Sequence, residues 1–166
     1  MTRVYLPTTL GGLAAAQLDG VLAPPLTAHA VTAAVREWYT EGDLEELEYV
    51  AFTEAAEASL RLLAVAPEVS RRRAARVVIA VDVPDDAVAA TQHPRFRSAV
   101  LVSAQVAVSA VASVHVDEDV AEPVVRQAIA ALPAADEGDD DARFTLDEAE
   151  ATELLWYDVS EIGDLI

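Results

Sequence analysis

The stretch His115-Val116-Asp117-Glu118-Asp119 carries the most chemistry of any in the chain. In an extended strand, His115 and Asp117 project from the same face. At a strand end that leads into a helix they would sit at a sheet edge, where ligands bind. An imidazole and a carboxylate so placed can share a divalent metal or move a proton. A working site needs further groups. The sequence nominates Asp82, at the end of another strand, and His29 on a third. The competing reading is structural. Asp117 or Asp119 caps the helix that follows, and His115 is a half-buried strand residue.

Other chemistries find less support. There is no Cys, so no thiolate nucleophile, thiolate metal site or disulfide framework exists. No Gly-x-Ser-x-Gly elbow surrounds Ser98, Ser103, Ser109 or Ser113. His29, His93 and His115 are too far apart for a zinc-protease motif. Gly11-Gly12 lacks the rest of a phosphate loop, and Asp136 to Asp141 does not match the spacing of an EF-hand loop. No dinucleotide fingerprint is present, and no cofactor is expected.

Binding offers two further groups of candidates. Aromatic residues make up only 5 % of the chain, yet two Trp-Tyr pairs occur, Trp38-Tyr39 and Trp156-Tyr157. They are core anchors, or they line a pocket or an interface, where Trp and Tyr are enriched. Arg71-Arg72-Arg73 is the one basic cluster. It could bind a phosphate or an acidic partner, or meet the protein's own carboxylates.

Composition narrows the partners. The net charge of −18 opposes binding to nucleic acid or to an anionic membrane surface. A basic protein partner is allowed, an acidic mimic of nucleic acid is a third reading, and homo-oligomerisation stays open. All eleven basic residues are Arg, and Lys and Asn are absent, which suggests a GC-rich coding bias. No signal peptide or membrane-spanning run is visible, so a cytoplasmic protein is expected. At 166 residues the chain reads as one domain, 1–166.

The elements that must position these residues are organised around Asp43 to Val65. Leu44, Leu47, Ala51, Ala55, Ala58 and Leu62 form one stripe at helical spacing; Tyr49, Phe52, Ala56, Leu60 and Leu63 form a second. A helix apolar on two sides packs between layers. Asp43 and Glu46 have capping-box spacing. Before this helix, a strand at 3–6, a helix from Leu10 to Leu18 and a strand at 27–32 predict a βαβ unit with parallel strands. A short helix spans 33–39. Strands follow at 76–83 and 98–108, expected as antiparallel neighbours, and at 112–117. A helix spans 118–132, an acidic loop 136–141, a helical turn 147–151, a strand 153–159 and a capped helical end 160–166. The expected fold is α/β or α+β, with a mixed sheet of about six strands and helices packed on it.

Arg3-Val4-Tyr5-Leu6-Pro7-Thr8, Arg36-Glu37-Trp38-Tyr39 with Glu46-Leu47-Glu48-Tyr49, Val114-His115-Val116-Asp117 and Glu153-Leu154-Leu155-Trp156-Tyr157 together carry a resemblance. Nearly end to end, the chain resembles a small family from high-GC actinobacteria catalogued as a domain of unknown function. The resemblance implies a single domain and a source class, and transfers no activity or functional residue. The leading expectation is therefore a non-catalytic interaction or regulatory accessory domain. The alternative is a metal-assisted or acid–base enzyme using His115, Asp117 and Asp82.

Overall fold

The computed structural model describes residues 1–67 and 71–166. The chain runs β1 (Thr2–Thr8), α1 (Leu10–Asp19), β2 (Val21–Leu22), β3 (Leu26–His29), α2 (Ala33–Trp38) and α3 (Leu44–Val65). Then come β4 (Val77–Val83), β5 (Val88–Ala90), β6 (Ala99–Val102), β7 (Val106–Ala107) and β8 (Ser113–Val116). It ends with α4 (Glu122–Asp136), α5 (Asp140–Glu150), β9 (Leu155–Tyr157) and α6 (Ile162–Leu165).

Seven strands form one sheet in the order β5-β6-β3-β1-β4-β8-β9, and β2 pairs with β7 apart from it. The helices cover both faces. Val4 and Leu6 of β1 alternate with Tyr5, so β1 feeds two cores at once. On one face Val4, Leu6, Ile79 and Val114 pack with Leu13 of α1 and Ile162 of α6. On the other, Tyr5, Val78 and Ala80 meet Ala51, Ala55 and Ala56 of α3. The back of α3, at Leu60 and Leu63, packs on Val125, Ala128 and Leu132 of α4 and on Leu146 of α5. The near-continuous apolar run of β4 follows from this, because both its faces are buried.

The central helix forms where its pattern places it. Asp43 accepts from the Glu46 amide and Glu46 from the Asp43 amide, closing the capping box. Its two stripes are used as a packed layer requires, with the exceptions of Leu44, Tyr49 and Leu62, which stay exposed. Ser59, fully buried between the stripes, ties three elements together. Its hydroxyl donates to the Thr8 carbonyl at 2.7 Å and accepts from the Val77 amide at 2.9 Å. Ser59→Ala would leave that buried amide and carbonyl without this partner. A loss of about 1–3 kcal/mol is expected, read as a lower urea midpoint at unchanged slope.

Three expectations are corrected. The order strand, helix, strand at the N-terminus holds, but every pairing in the sheet is antiparallel, β1 with β3 included. After α1 the chain runs out as β2 to pair with β7, and then enters β3 from the end opposite to that of a simple crossover. Residues 76–83 and 98–108 are not neighbours: β4 lies between β1 and β8, while β6 lies between β3 and β5. The longer segment also breaks into β6 and β7.

The acidic segment is half helix, with a turn at 137–139 between the last residue of α4 and the first two of α5. Gly138 turns the chain at φ 94°, Asp139 accepts from the Ala142 amide as N-cap, and α5 begins at Asp140. Acids in a first turn favour the helix dipole, a gain that a composition-based reading of 136–141 as a loop overlooks.

Candidate functional site

The cleft that collects the most chemistry opens between α3 and the sheet face beneath it. Its volume is about 420 Å³. Tyr5, Ala80, Ser113 and His115 form the floor. Glu45, Glu48, Tyr49 and Phe52 of α3 form one wall, and Glu150, Thr152, Glu153 and Trp156 the other. Strand alternation brings the floor residues to one face: Ala80 of β4 is opposite both Tyr5 of β1 and Ser113 of β8.

Phe52 is the hub of an aromatic cluster. Its ring stands edge to face on Tyr5, at 5.8 Å between centroids, and on His115, at 4.8 Å. Tyr49 stacks on it at 6.4 Å. Tyr49 and Trp156 are 63 % and 60 % exposed, so they present their faces at the mouth of the cleft. His115 Nε2 is 3.0 Å from Ser113 Oγ. Burial, with the nearby Arg3 guanidinium, pushes the His115 pKa down, which keeps the ring neutral. Burial and the negative charge of Glu48 push the Tyr5 phenol up. Burial likewise raises the Glu150 carboxyl.

The cleft is strongly acidic once its ion pairs are assigned. Arg3 is held by Asp82 at 2.8 Å, and Arg76 by Asp117 at 2.7 Å. Glu57 and Glu150 are matched by Arg61 and Arg143. Among the described residues, Glu45, Glu48 and Glu153 have no ion-pair partner. Three unmatched carboxylates therefore ring an aromatic floor.

The His115, Asp117 and Asp82 constellation is not assembled. His115 faces the cleft. Asp117 is fully buried, and its carboxylate accepts from the Arg76 amide, Nε and Nη2. Asp82 is on the surface, where the hydrogen bond from Arg3 lowers its pKa. It lies four residues along β4 from Val78, the partner of His115, or about 13 Å. His29 lines a different cavity. Among the described residues, no group of three or more His, Asp or Glu side chains could hold a metal ion. The helix-capping reading of Asp117 also fails: the residue anchors Arg76 instead, and the turn before α4 has no side-chain cap.

The binding candidates divide. Trp156 lines the cleft, while Tyr157, on the opposite face of β9, packs into the core. Trp38, 61 % exposed, carries the Arg97 guanidinium 3.7 Å over its ring, and Tyr39 is exposed beside it. Neither lines the cleft. Arg71 and Arg72 are exposed, whereas Arg73 pairs with Asp119 at 3.0 Å and donates to the Asp117 carbonyl. That arginine meets the protein's own acids. Reasoning from sequence missed Tyr5, Glu48, Tyr49 and Phe52 as site residues. A signal was present: the second stripe of the central helix is aromatic at its N-terminal end and flanked by Glu45 and Glu48.

The fold and cleft together define a small α/β protein, with a seven-stranded antiparallel sheet covered on both faces and an aromatic, acidic cleft beneath its longest helix. The chain belongs to a family of unknown function (DUF6912), whose model matches residues 2–166. Comparison with curated proteins found no match, and comparison with solved structures found none either. Among the described residues, no helix is long and apolar enough to cross a membrane.

Proposed function

We propose that this protein is a non-catalytic binding domain whose cleft receives an arginine side chain from a basic segment of a protein partner. The observation that carries the reading is the ring of Glu45, Glu48 and Glu153 around the Tyr5, Tyr49, Phe52 and Trp156 aromatics. A cation over an aromatic face gains about 0.5–2 kcal/mol, and more as water is excluded. A planar guanidinium also stacks on such rings and forks onto a carboxylate, which an ammonium does less well. The overall charge of −18 draws a basic partner toward the protein, and the unmatched carboxylates give it a place to arrive.

The reading is tested by fluorescence anisotropy with a labelled arginine-rich peptide and its citrulline counterpart, which keeps the shape and loses the charge. The arginine peptide binds and the citrulline peptide does not. Glu48→Gln and Tyr49→Ala each weaken binding roughly five- to tenfold. Asp19→Asn, at the end of α1 and away from the cleft, controls for attraction by net charge alone and leaves affinity unchanged. Equal losses at Asp19 and Glu48, or no binding at all, would overturn the assignment.

A further inference from the structure

A second cavity, of about 500 Å³, lies at the end of the sheet between α3, β3 and the segment 91–98. Its character is opposite to that of the cleft. Among the described residues no carboxylate lines it, and its walls are mainly aliphatic and aromatic, with Leu26, Leu62, Ile79 and Phe96 among them. The two guanidinium groups at its wall are matched by two carboxylates: Arg61 pairs with Glu57 at 3.1 Å and with Asp136 at 2.9 Å, and Arg95 pairs with Asp136 at 3.2 Å. They offer no unmatched charge to an anion.

His29 forms part of this wall and is 1 % exposed. The Ser98 hydroxyl donates to Glu54 Oε2, which also accepts the Ser98 amide at 2.9 Å. With its proton committed to Glu54, the hydroxyl oxygen can only accept from His29 Nδ1, 2.8 Å away. The chain Glu54–Ser98–His29 therefore places the imidazole proton on Nδ1 and leaves Nε2 as a lone-pair acceptor. That nitrogen is buried and, among the described residues, has no hydrogen-bond partner. A buried acceptor with no donor costs roughly 1–3 kcal/mol, and a three-residue chain that fixes it as an acceptor is an expensive arrangement to leave unused.

We infer that this cavity binds a neutral, mainly apolar small molecule carrying one O–H or N–H group, which it donates to His29 Nε2. The aliphatic walls receive the body of the molecule. The single fixed acceptor selects for the donor, because a hydroxyl entering an apolar cavity without a partner forfeits its hydrogen bonds to water. Phe96, another wall residue, stands edge to face on the imidazole at 5.2 Å between centroids. The site is separate from the cleft and stands whether or not the cleft takes arginine.

The test uses phenol and toluene, two molecules of one shape that differ in the donor. Binding is measured by calorimetry on the full chain, and the side-chain nitrogens of ¹⁵N-labelled histidines are followed by NMR. Phenol binds saturably and moves the His29 Nε2 resonance; toluene leaves that resonance in place. Ser98→Ala frees the tautomer, and the phenol-to-toluene affinity ratio falls roughly tenfold. Should Ser98→Ala fold poorly, Phe96→Leu gives a second reading, since it leaves the hydrogen-bonded chain intact and keeps the preference for phenol. Absence of binding by both probes, an unchanged ratio in Ser98→Ala, or a persistent water on Nε2 that phenol does not displace would each overturn the inference.

Discussion

Asp117→Ala is expected to cost about 3–5 kcal/mol of stability, because it strands a buried guanidinium. Asp117 and Arg76 are 0 % and 3 % exposed at the side chain. The contact is a bidentate fork, with Arg76 Nε on Asp117 Oδ2 at 2.9 Å and Nη2 on Oδ1 at 2.7 Å. The same Nη2 also donates to the Thr152 carbonyl, which ties the connection between α5 and β9 to the sheet. Asp117 Oδ2 accepts the Arg76 amide as well, so one carboxylate holds the chain just before β4 against the end of β8. Removing the acid leaves the buried guanidinium with the Thr152 carbonyl in place of a carboxylate. A paired replacement isolates the cause. Arg76→Met with Asp117→Leu should recover most of the loss, because an apolar pair of similar volume avoids the desolvation of two ions. Urea unfolding of the wild type, the single variant and the double variant measures this directly. A single variant within 1 kcal/mol of wild type would mean that the pair is not buried as described.

The second large effect is a loss of stability in mild acid that traces to one residue. Burial, with a smaller push from His93, lowers the His29 pKa to about 4 from an ordinary 6.5. The folded protein therefore resists protonating this ring, whereas the unfolded chain protonates it near 6.5. Between those two values the unfolded state binds more protons, so stability rises with pH across the window. The contribution is complete above about 6.5 and is lost as pH falls toward 4. The gap corresponds to about 3 kcal/mol at full extent, an order-of-magnitude figure. His115, lowered by burial and Arg3, acts in the same direction. His29→Gln removes the larger part of the slope between pH 6.5 and 4, whatever it does to stability at neutral pH. Thermal unfolding of both proteins at half-unit pH steps reads the difference, and parallel curves would rule out His29 as the source.

How much of this was legible beforehand depended on whether one segment carried the signal. The helix Leu44–Val65 announces itself through its caps and its two stripes, because its packing partners on both sides leave apolar residues in its own sequence. β4 does the same with an unbroken apolar run. Sheet order was not legible. Val77 and Val116 pair across 39 positions of sequence, and nothing local in either records the partner. The helix at Asp140–Glu150 was hidden because only Leu146 and Ala149 face the core, too few to set a period, while its acids resemble a solvated loop. At the site, His115, nominated in the sequence with Asp117 at a strand end, lines the cleft. Its supposed partner Asp117 points to the same side of the sheet but is taken by Arg76, a residue that reads in sequence as the first position of a buried strand. The cleft itself needed the third dimension. Tyr5, Phe52, Glu48, His115 and Trp156 come from four elements, and only the sheet register with α3 laid across it brings them together.

The measurement that bears most directly on the cleft is NMR mapping of an arginine-rich peptide on ¹⁵N-labelled protein. Expected are saturable shifts at the Trp156 indole N–H, the His115 side-chain nitrogens and the amides of α3 from Glu45 to Phe52, with the Trp38 indole and α1 unmoved. Shifts scattered over the acidic surface, or none in the cleft at peptide concentrations that saturate other acids, would contradict a cleft built for a guanidinium.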